Sequence, residues 1–124
     1  MTAAGKKVLH VDDDEPTLRT VARHLEASGF TVVSTTSPFI APIIHRERPD
    51  VIVMDIDMPL LSGDRIMSII RGNEFSTLPV IYFSGKPDHA LAAMAAKTPP
   101  ATFISKDKGL PALVQKIHEA TKTR

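Results

Sequence analysis

The feature that most constrains the fold of this chain is an alternation between short apolar runs and segments with helical spacing. In the first such segment Leu18, Val21 and Leu25 recur at the spacing of one helix face. The runs at 51–54 and 80–83 are apolar throughout, which is typical of parallel strands covered on both faces. Five strands are predicted in this way, at residues 8–11, 30–33, 51–54, 80–83 and 101–104.

The helical segments carry signals at their ends. Gly29 marks the end of the first helix, and Ser37-Pro38 predicts the N-cap and first residue of the second. Pro42 and Pro49 make this second helix short or bent. The other three helices are marked by Ile66, Ile69 and Ile70, by an Ala-rich stretch at about 88–97 before Pro99-Pro100, and by Leu110, Leu113, Val114 and Ile117.

Five strands alternating with five helices predict an α/β fold with a doubly wound parallel sheet. Right-handed crossovers place helices on both faces of such a sheet. The pattern alone leaves the strand order open. A length of 124 residues fits one domain. We therefore expect a single domain over residues 1–124, with an ordered core at 6–121.

Composition excludes several classes of function. Lys and Arg number 15 against 14 Asp and Glu, so a net charge of +1 gives no electrostatic basis for binding nucleic acid or an anionic membrane. The absence of cysteine excludes disulfides and thiolate chemistry. No apolar run approaches the roughly 20 residues of a membrane span, and the first residues lack the apolar segment of a signal peptide. We therefore expect a cytoplasmic protein with no nucleic-acid or membrane partner.

Ionisable and hydroxyl side chains follow four of the five predicted strands. Asp12 and Asp13 follow the first strand, Asp55 the third, Ser84 the fourth and Lys106 the fifth. The carboxyl ends of parallel strands lie at one edge of the sheet, where ligand sites form. Any one of these residues alone is more often a turn or cap residue. Their combination predicts a binding site at this edge.

The chemistry of this combination points to phosphoryl transfer. Asp12, Asp13 and Asp55 would repel one another unless a cation lay between them, and their oxygens are the ligands that Mg²⁺ or Mn²⁺ prefers. Lys106 suits an anionic oxygen, and Ser84 adds a small donor. Because Asp55 follows the most continuously apolar strand, it is the candidate nucleophile, and its attack on phosphorus would give an acyl phosphate.

These motifs together resemble a response-regulator receiver domain, the module of two-component signalling that histidine kinases phosphorylate. The resemblance covers nearly the whole chain. Its motifs are Val11-Asp12-Asp13, the stretch 49–59 that ends in Met58-Pro59 with Gly63 downstream, the stretch 79–85, and Phe103-Ile104-Ser105-Lys106.

The resemblance implies a flavodoxin-like (βα)5 fold with the strand order 2-1-3-4-5. It implies that Asp55 accepts a phosphoryl group from a histidine kinase or a histidine phosphotransfer protein. The domain would be a switch and not an enzyme, with self-phosphorylation and autodephosphorylation as its only reactions. The fourth helix, fifth strand and fifth helix would bind a downstream protein, and a homodimer stays open.

The resemblance also implies which residues hold the metal ion. Asp13 and Asp55 would ligate Mg²⁺ directly, together with the backbone carbonyl of Asp57. Asp12 would act largely through water. A register in which Asp13 and Asp14 form the acidic pair is the alternative, although Asp12 is the first acid after the strand.

Further roles concern the phosphoryl group. Ser84 and Lys106 would contact its oxygens, and Phe103 would swing inward when Ser84 is drawn to the phosphate. The alternative for Phe103 is a half-buried core aromatic. Asp57 and Lys86 lie at positions that tune the lifetime of the phosphoryl group in this family.

One departure from the family concerns the residue after Lys106. The family usually has a proline there, preceded by a cis bond, whereas this chain has Asp107. A cis bond before a non-proline residue costs about 2.5–4 kcal/mol. A trans bond is therefore favoured, and it would place Lys106 differently or let it pair with Asp107.

Two other functions remain as alternatives. The Lys106-Asp107 departure suggests a receiver-like docking module that is never phosphorylated. Asp55-Ile56-Asp57 also resembles the nucleophile strand of haloacid-dehalogenase-type phosphatases, which use Mg²⁺. That family places further acids after its lysine, where this chain has only Asp107 and Glu119.

Overall fold

The computed structural model describes residues 5–72 and 75–122. Within them five strands form one parallel sheet: β1 (Lys7–Val11), β2 (Thr31–Thr35), β3 (Val51–Met54), β4 (Val80–Ser84) and β5 (Ala101–Ser105). The strand order is β2-β1-β3-β4-β5, as the resemblance implied. The main difference from the prediction is at β2, which begins one residue and ends two residues later than expected.

Five helices connect and follow the strands. They are α1 (Glu15–Ala27), α2 (Ala41–Glu47), α3 (Gly63–Arg71), α4 (Asp88–Lys97) and α5 (Leu110–Thr121), and a 3₁₀ turn (Lys106–Lys108) joins β5 to α5. In the described parts of the chain no helix is both long and apolar enough to cross a membrane.

The core forms two apolar layers, one on each face of the sheet. The side chains of β3 alternate between them, with Ile52 and Met54 in the layer under α2, α3 and α4, and Val51 and Val53 in the layer under α1 and α5. All four of these residues are fully buried. The prediction that this continuously apolar run is a strand covered on both faces is therefore confirmed.

The ends of α1 follow the sequence signals closely. Asp14 is its N-cap, and the carboxylate accepts a hydrogen bond of 3.0 Å from the N–H of Thr17. Beyond the last turn Gly29 has a φ of 101°, in the left-handed region that favours glycine. Gly29 therefore ends the first helix as predicted.

The predicted start of α2 at Ser37-Pro38 is wrong. The helix begins at Ala41, and Ser37 lies outside it, where its Oγ accepts a 3.0 Å hydrogen bond from the N–H of Phe39. A serine that bonds the backbone two residues on forms a local turn, which competes with helix capping. Pro42 lies in the first turn of α2, where its missing N–H has no intrahelical partner to lose.

Some apolar residues of the predicted helix faces are not buried. Ile66 and Ile70 of α3 lie in the core, but Ile69 is exposed, together with Phe39 and Leu60. Ile69 and Phe39 line an open apolar groove between α2 and α3. The spacing of the isoleucines correctly predicted a helix, but it did not predict which of them the neighbouring helix would cover.

Arg71, the last residue of α3, ties this helix to the segment that leads into β5. Its guanidinium donates hydrogen bonds to the carbonyl oxygens of Phe75 at 2.6 Å, Pro100 at 2.9 Å and Thr98 at 3.3 Å. The hydroxyl of Tyr82 lies 2.7 Å from Thr98 Oγ1 in the buried interior. These contacts fix the start of β5, whose other end carries the lysine of the predicted site.

We expect Arg71→Lys to lower the free energy of unfolding by about 1–3 kcal/mol. The single ammonium group of lysine cannot reproduce the hydrogen bonds that the planar guanidinium donates to three carbonyl oxygens. Urea unfolding measures this loss. Arg65→Lys, at an exposed position of the same helix, is the control and should change the value by no more than about 0.5 kcal/mol. An equal loss of stability in the two variants would contradict the stabilising role of the Arg71 hydrogen bonds.

Candidate functional site

The register of the sheet brings two aspartates side by side. Val11 of β1 pairs with Met54 of β3, so Asp12 and Asp55 leave neighbouring strands at the same level. The N–H of Asp55 donates a 3.0 Å hydrogen bond to the carbonyl oxygen of Val11, which extends the ladder by one residue. Both carboxylates are buried, since Asp12 is 1% and Asp55 6% exposed.

Asp13 completes a cluster of three carboxylates. One oxygen each from Asp12, Asp13 and Asp55 lies within 4.8 Å of the others, and Asp13 is exposed while the other two are buried. Three carboxylate oxygens with one side open to water fit a hard divalent cation, because Mg²⁺ keeps several waters when it binds protein. The donor set of this site therefore fits Mg²⁺ or Mn²⁺.

Asp14, the third of the three consecutive aspartates, caps α1 and is not part of the carboxylate cluster. Its carboxylate caps α1 through Thr17, and these hydrogen bonds lower the pKa of Asp14. Its own N–H donates a 3.0 Å hydrogen bond to Asp12 Oδ1, which helps to orient that carboxylate. The structure thus brings Asp12 and Asp13 to Asp55 and leaves Asp14 at the helix cap.

Lys106 reaches the cluster from the end of β5. Its Nζ lies 3.3 Å from Asp12 Oδ2 and 3.8 Å from Asp55 Oδ1. Among the described residues only Pro99-Pro100 has a cis bond, so the Lys106-Asp107 bond is trans, as favoured. The alternative ion pair between these two residues is not found in the part of the chain that the structure describes.

The electrostatics of Asp55 reflect its burial. Burial raises the pKa of Asp55 from 3.8 to about 6, the Lys106 ammonium opposes this rise, and the Asp12 carboxylate adds to it. Around neutral pH the metal-free carboxyl thus carries a charge that its surroundings only partly stabilise. A bound cation would remove this penalty, because opposite charge favours the ionised form.

Ser84 lies at the same edge of the sheet, and Lys86 and Asp57 lie at the rim of this edge. Lys86 Nζ is 3.3 Å from Asp57 Oδ1, so the two predicted lifetime residues form an ion pair between the loops after β3 and β4. Ser84 is fully buried at the end of β4, and its Oγ accepts a 3.2 Å hydrogen bond from the N–H of Lys86. In the described residues no hydrogen bond ties Ser84 to the three carboxylates.

Phe103 lies within β5, three residues before Lys106. It pairs with Tyr82 in the sheet register and is partly buried against the apolar layer under α2, α3 and α4. This placement matches the half-buried aromatic that the sequence left as an alternative.

Gly63, which the sequence marked only as a motif position, allows α3 to pack directly on the backbone of the site. A Cβ at Gly63 would lie 2.1 Å from the carbonyl oxygen of Asp55 and 2.6 Å from Cγ of Met54. The Gly63 N–H also donates a 3.0 Å hydrogen bond to the carbonyl oxygen of Ile56. The spacing of Gly63 from Asp55 in the sequence was the available signal. The contact between them depends on how α3 packs, which the sequence pattern does not give.

Two further neighbours of the site carried no sequence signal. His10 is fully buried in β1, and in the described structure neither of its ring nitrogens has a hydrogen-bond partner. Burial lowers the pKa of His10 to about 4, although Asp12 opposes the shift, so the ring is neutral. Phe83 of β4 lies under the lysine, with its ring centroid 5.7 Å from Lys106 Nζ.

Residues 8–118 match the family model of the response regulator receiver domain. The chain belongs to this family. Receiver domains are signalling modules of two-component systems, and they are not generally enzymes.

Curated relatives extend beyond the receiver domain. The chain is 29% identical over 112 residues to the transcriptional regulatory protein YxdJ of Bacillus subtilis, covering 90% of this chain and 48% of that protein. It is 37% identical over 81 residues to the transcriptional regulatory protein PrrA of Mycobacterium tuberculosis, covering 64% of this chain and 34% of that protein. The chain thus spans less than half the length of these two relatives.

Solved structures show the same fold. The receiver domain of the Francisella response regulator 1452 superposes with a TM-score of 0.84 at 22% identity, covering 96% of this chain and 98% of that one. A receiver domain protein from Clostridium thermocellum gives a TM-score of 0.83 at 26% identity and covers 95% of both chains. The flavodoxin-like fold of the receiver domain is therefore confirmed.

Gly63→Ala should destabilise the receiver domain by about 1–3 kcal/mol, because the added methyl group overpacks against the backbone of Asp55. Thermal or urea unfolding measures this change. Gly72→Ala is the matched control, since among the described residues that do not adjoin Gly72 the nearest atom to a Cβ there is the carbonyl oxygen of Ile69 at 3.6 Å. A loss of stability in Gly72→Ala as large as in Gly63→Ala would mean that the close approach is not the cause.

The raised pKa of Asp55 predicts a pH-dependent stability in the metal-free domain. Between pH 3.8 and about 6 the folded state holds a proton on Asp55 that an unfolded chain releases. This residue therefore lowers the free energy of unfolding as pH rises through that window. We expect Asp55→Asn to be more stable than wild type above the window by about 1–3 kcal/mol, and equally stable below it.

Urea unfolding of both proteins in a chelator, from pH 4 to 8, measures this difference. The comparison between the two proteins removes the pH dependence that both share, including that of His10. A difference that does not grow with pH would contradict the raised pKa of Asp55.

Proposed function

We propose that this receiver domain is a phosphorylation-controlled switch in which Asp55 accepts a phosphoryl group. The donor is the phosphohistidine of a histidine kinase or a histidine phosphotransfer protein. The observation that carries the proposal is the buried carboxylate of Asp55, which lies within 4.8 Å of two further carboxylates and 3.8 Å from a lysine ammonium.

Asp13 and Asp55 would hold Mg²⁺ or Mn²⁺ directly, with the backbone carbonyl of Asp57, and Asp12 would act largely through water. When bound, the ion supplies positive charge that neutralises the oxygens of the transferring phosphoryl group. The support for this assignment is the geometry of the three carboxylates together with the raised pKa of Asp55.

In the proposed reaction a carboxylate oxygen of Asp55 attacks phosphorus while the phosphorus–nitrogen bond of the donor breaks. The imidazole leaves with the electron pair of that bond, and the product is an acyl phosphate. With a pKa of about 6, Asp55 is mostly ionised at neutral pH and can act as the nucleophile. Lys106 would turn from the carboxylates to a phosphoryl oxygen, and the hydroxyl of Ser84 would donate to another.

Phosphorylation would then bias two conformations of the domain. To reach the phosphoryl group, Ser84 would give up the hydrogen bond that it accepts from Lys86. Phe103, half-buried on the adjacent strand, would move inward as Ser84 leaves its place. A phosphoryl group shifts the populations of two states only by contacts that differ between them, and these two side chains would supply the difference.

The ion pair between Asp57 and Lys86 is the proposed control on the lifetime of the acyl phosphate. It spans the loops after β3 and β4 at the rim of the site. Both residues would lie on the path by which water approaches the phosphorus. Neutralising either one would change the rate of autodephosphorylation.

We further propose residues 1–124 as a single cytoplasmic receiver domain with its core at 6–121. The kinase or phosphotransfer protein is its upstream partner, and a downstream protein would bind the face formed by α4, β5 and α5. Formation of a homodimer stays open. The longer relatives are named as transcriptional regulatory proteins. The receiver residues themselves would make no direct contact with nucleic acid.

The unphosphorylated docking module remains the second candidate. This candidate was suggested by Asp107, which follows Lys106 where the family usually has proline. The Lys106 ammonium nevertheless lies beside the carboxylates of Asp12 and Asp55. The family match over residues 8–118 argues against the phosphatase.

Intact mass after incubation with acetyl phosphate tests the proposal. We expect wild type to gain one phosphoryl group that requires Mg²⁺ and is released by hydroxylamine, and Asp55→Asn to gain none. Asp107→Asn is the matched control, because it removes an exposed carboxylate near the site and should keep the adduct.

A phosphoryl group that persists in Asp55→Asn would place the nucleophile elsewhere. If wild type bound Mg²⁺ but took no phosphoryl group from acetyl phosphate or from a phosphohistidine donor, the docking module would be the better description.

A further inference from the structure

The side chain of Lys106 has to be held before it can serve the site. Four carbon atoms separate its ammonium from the backbone, and about a third of the side chain is exposed. A flexible lysine directs its charge only when neighbouring contacts restrict its rotamers. The anionic groups that now hold it are the carboxylates of Asp12 and Asp55.

Those two carboxylates cannot restrain Lys106 during the proposed reaction. Both belong to the cluster that would hold the metal ion, and Asp55 would also carry the phosphoryl group. Contacts that persist throughout the reaction must therefore come from other residues. The structure provides two of them.

The first contact is the aromatic ring of Phe83. Its centroid lies 5.7 Å from Lys106 Nζ, within the distance at which a ring face attracts a cation. Phe83 is 4% exposed and packs in the apolar layer under α1 and α5, so the ring is fixed in place. Its strand neighbour Ile104 lies in β5, two residues before the lysine. The ring thus offers a rigid apolar support beneath the ammonium.

The second contact is the turn that carries the lysine backbone. The Oγ of buried Ser105 accepts a 3.2 Å hydrogen bond from the N–H of Asp107, which caps the 3₁₀ turn at its start. The N–H of Gly109 donates a 3.2 Å hydrogen bond to the carbonyl oxygen of Lys106 and closes the turn. The trans-bonded residue after the lysine thus takes part in fixing its backbone.

We propose that Phe83 and Ser105 are positioning residues for Lys106: the ring supports the ammonium, and the serine cap fixes the backbone from which it projects. This inference rests on the proposed function, because it takes Lys106 as the group that contacts the phosphoryl oxygen. Neither residue touches the reacting atoms. Both act through the lysine.

The main test is the rate of Asp55 phosphorylation at saturating acetyl phosphate and Mg²⁺. We expect Phe83→Leu to lower this rate about three- to tenfold, the range that loss of a cation–π contact supports. Phe83→Tyr keeps an aromatic ring and should restore most of it. Phe30→Leu is the matched control, since Phe30 is also 4% exposed and lies in the same apolar layer, but its ring contacts the ring of His118. It should leave the rate unchanged.

Fluorination separates the electrostatics of the ring from its shape. Phenylalanines with an increasing number of fluorine atoms at position 83 weaken the negative face of the ring with little change in size. The logarithm of the rate should fall steadily along this series. A flat series, or an equal fall in Phe30→Leu, would overturn the role of the ring.

Ser105 is tested by a pair of substitutions. Ser105→Ala removes the cap. This change should lower the rate about three- to tenfold, because the loss of a serine cap changes the equilibrium constant for forming the capped turn by up to about tenfold. Ser105→Thr keeps the hydroxyl and should restore the rate. Wild-type rates in Ser105→Ala, or no rescue by Ser105→Thr, would overturn the role of the cap.

A readout without metal or donor tests the geometry directly. Protons next to the Lys106 ammonium should show an upfield NMR shift from the ring of Phe83, and this shift should vanish in Phe83→Leu and persist in Phe30→Leu. Absence of the shift in wild type would overturn the contact itself. If wild type takes up no phosphoryl group, the proposed function fails together with the inference. If wild type is phosphorylated and the variants match it, the inference alone fails.

Discussion

The burial of two carboxylates side by side is the constraint on which the rest of the site depends. Asp12 and Asp55 leave adjacent parallel strands at the same level, and the hydrogen-bond ladder fixes their separation. Charges of one sign at this distance and depth need a compensating positive charge. Lys106 supplies part of it from β5, and the raised pKa of Asp55 shows that the compensation is incomplete. This imbalance of charge is the reason why we propose a cation and a phosphoryl group at the site.

Close packing of the surrounding structure keeps these carboxylates in place. At Gly63 the start of α3 lies directly on the Asp55 backbone, and any side chain there would collide with it. At the other end of α3, Arg71 holds the segment before β5. The same helix therefore anchors both the strand end that carries Asp55, the proposed acceptor, and the strand that carries Lys106. In such a rigid frame, the proposed phosphorylation of Asp55 would act on Ser84, whose Oγ accepts a hydrogen bond from the N–H of Lys86.

Much of the fold and of the site could be predicted from the sequence. The continuously apolar run 51–54 identified a central strand, Gly29 identified a helix end, and the acids, serine and lysine after successive strands identified one edge of the sheet. These predictions succeeded because strand ends in a parallel sheet converge whatever the side chains are. Ser37-Pro38 misled because a serine can bond its own local backbone as readily as it caps a helix. The exposure of Ile69 depended on how the neighbouring helix α2 was placed.

By itself, the sequence determined which elements form, in what alternation, and which ionisable groups stand at their ends, because local spacing and strand polarity decide these things. Only the tertiary structure decided that Asp14 caps a helix while Asp13 faces the cluster, and that Lys106 turns to Asp12 and Asp55 and not to Asp107. It alone placed the ring of Phe83 beneath the ammonium and the Gly63 backbone against Asp55. The contacts of Lys106 join residues far apart in the chain, and all these distances are set by packing and register, which no local pattern records.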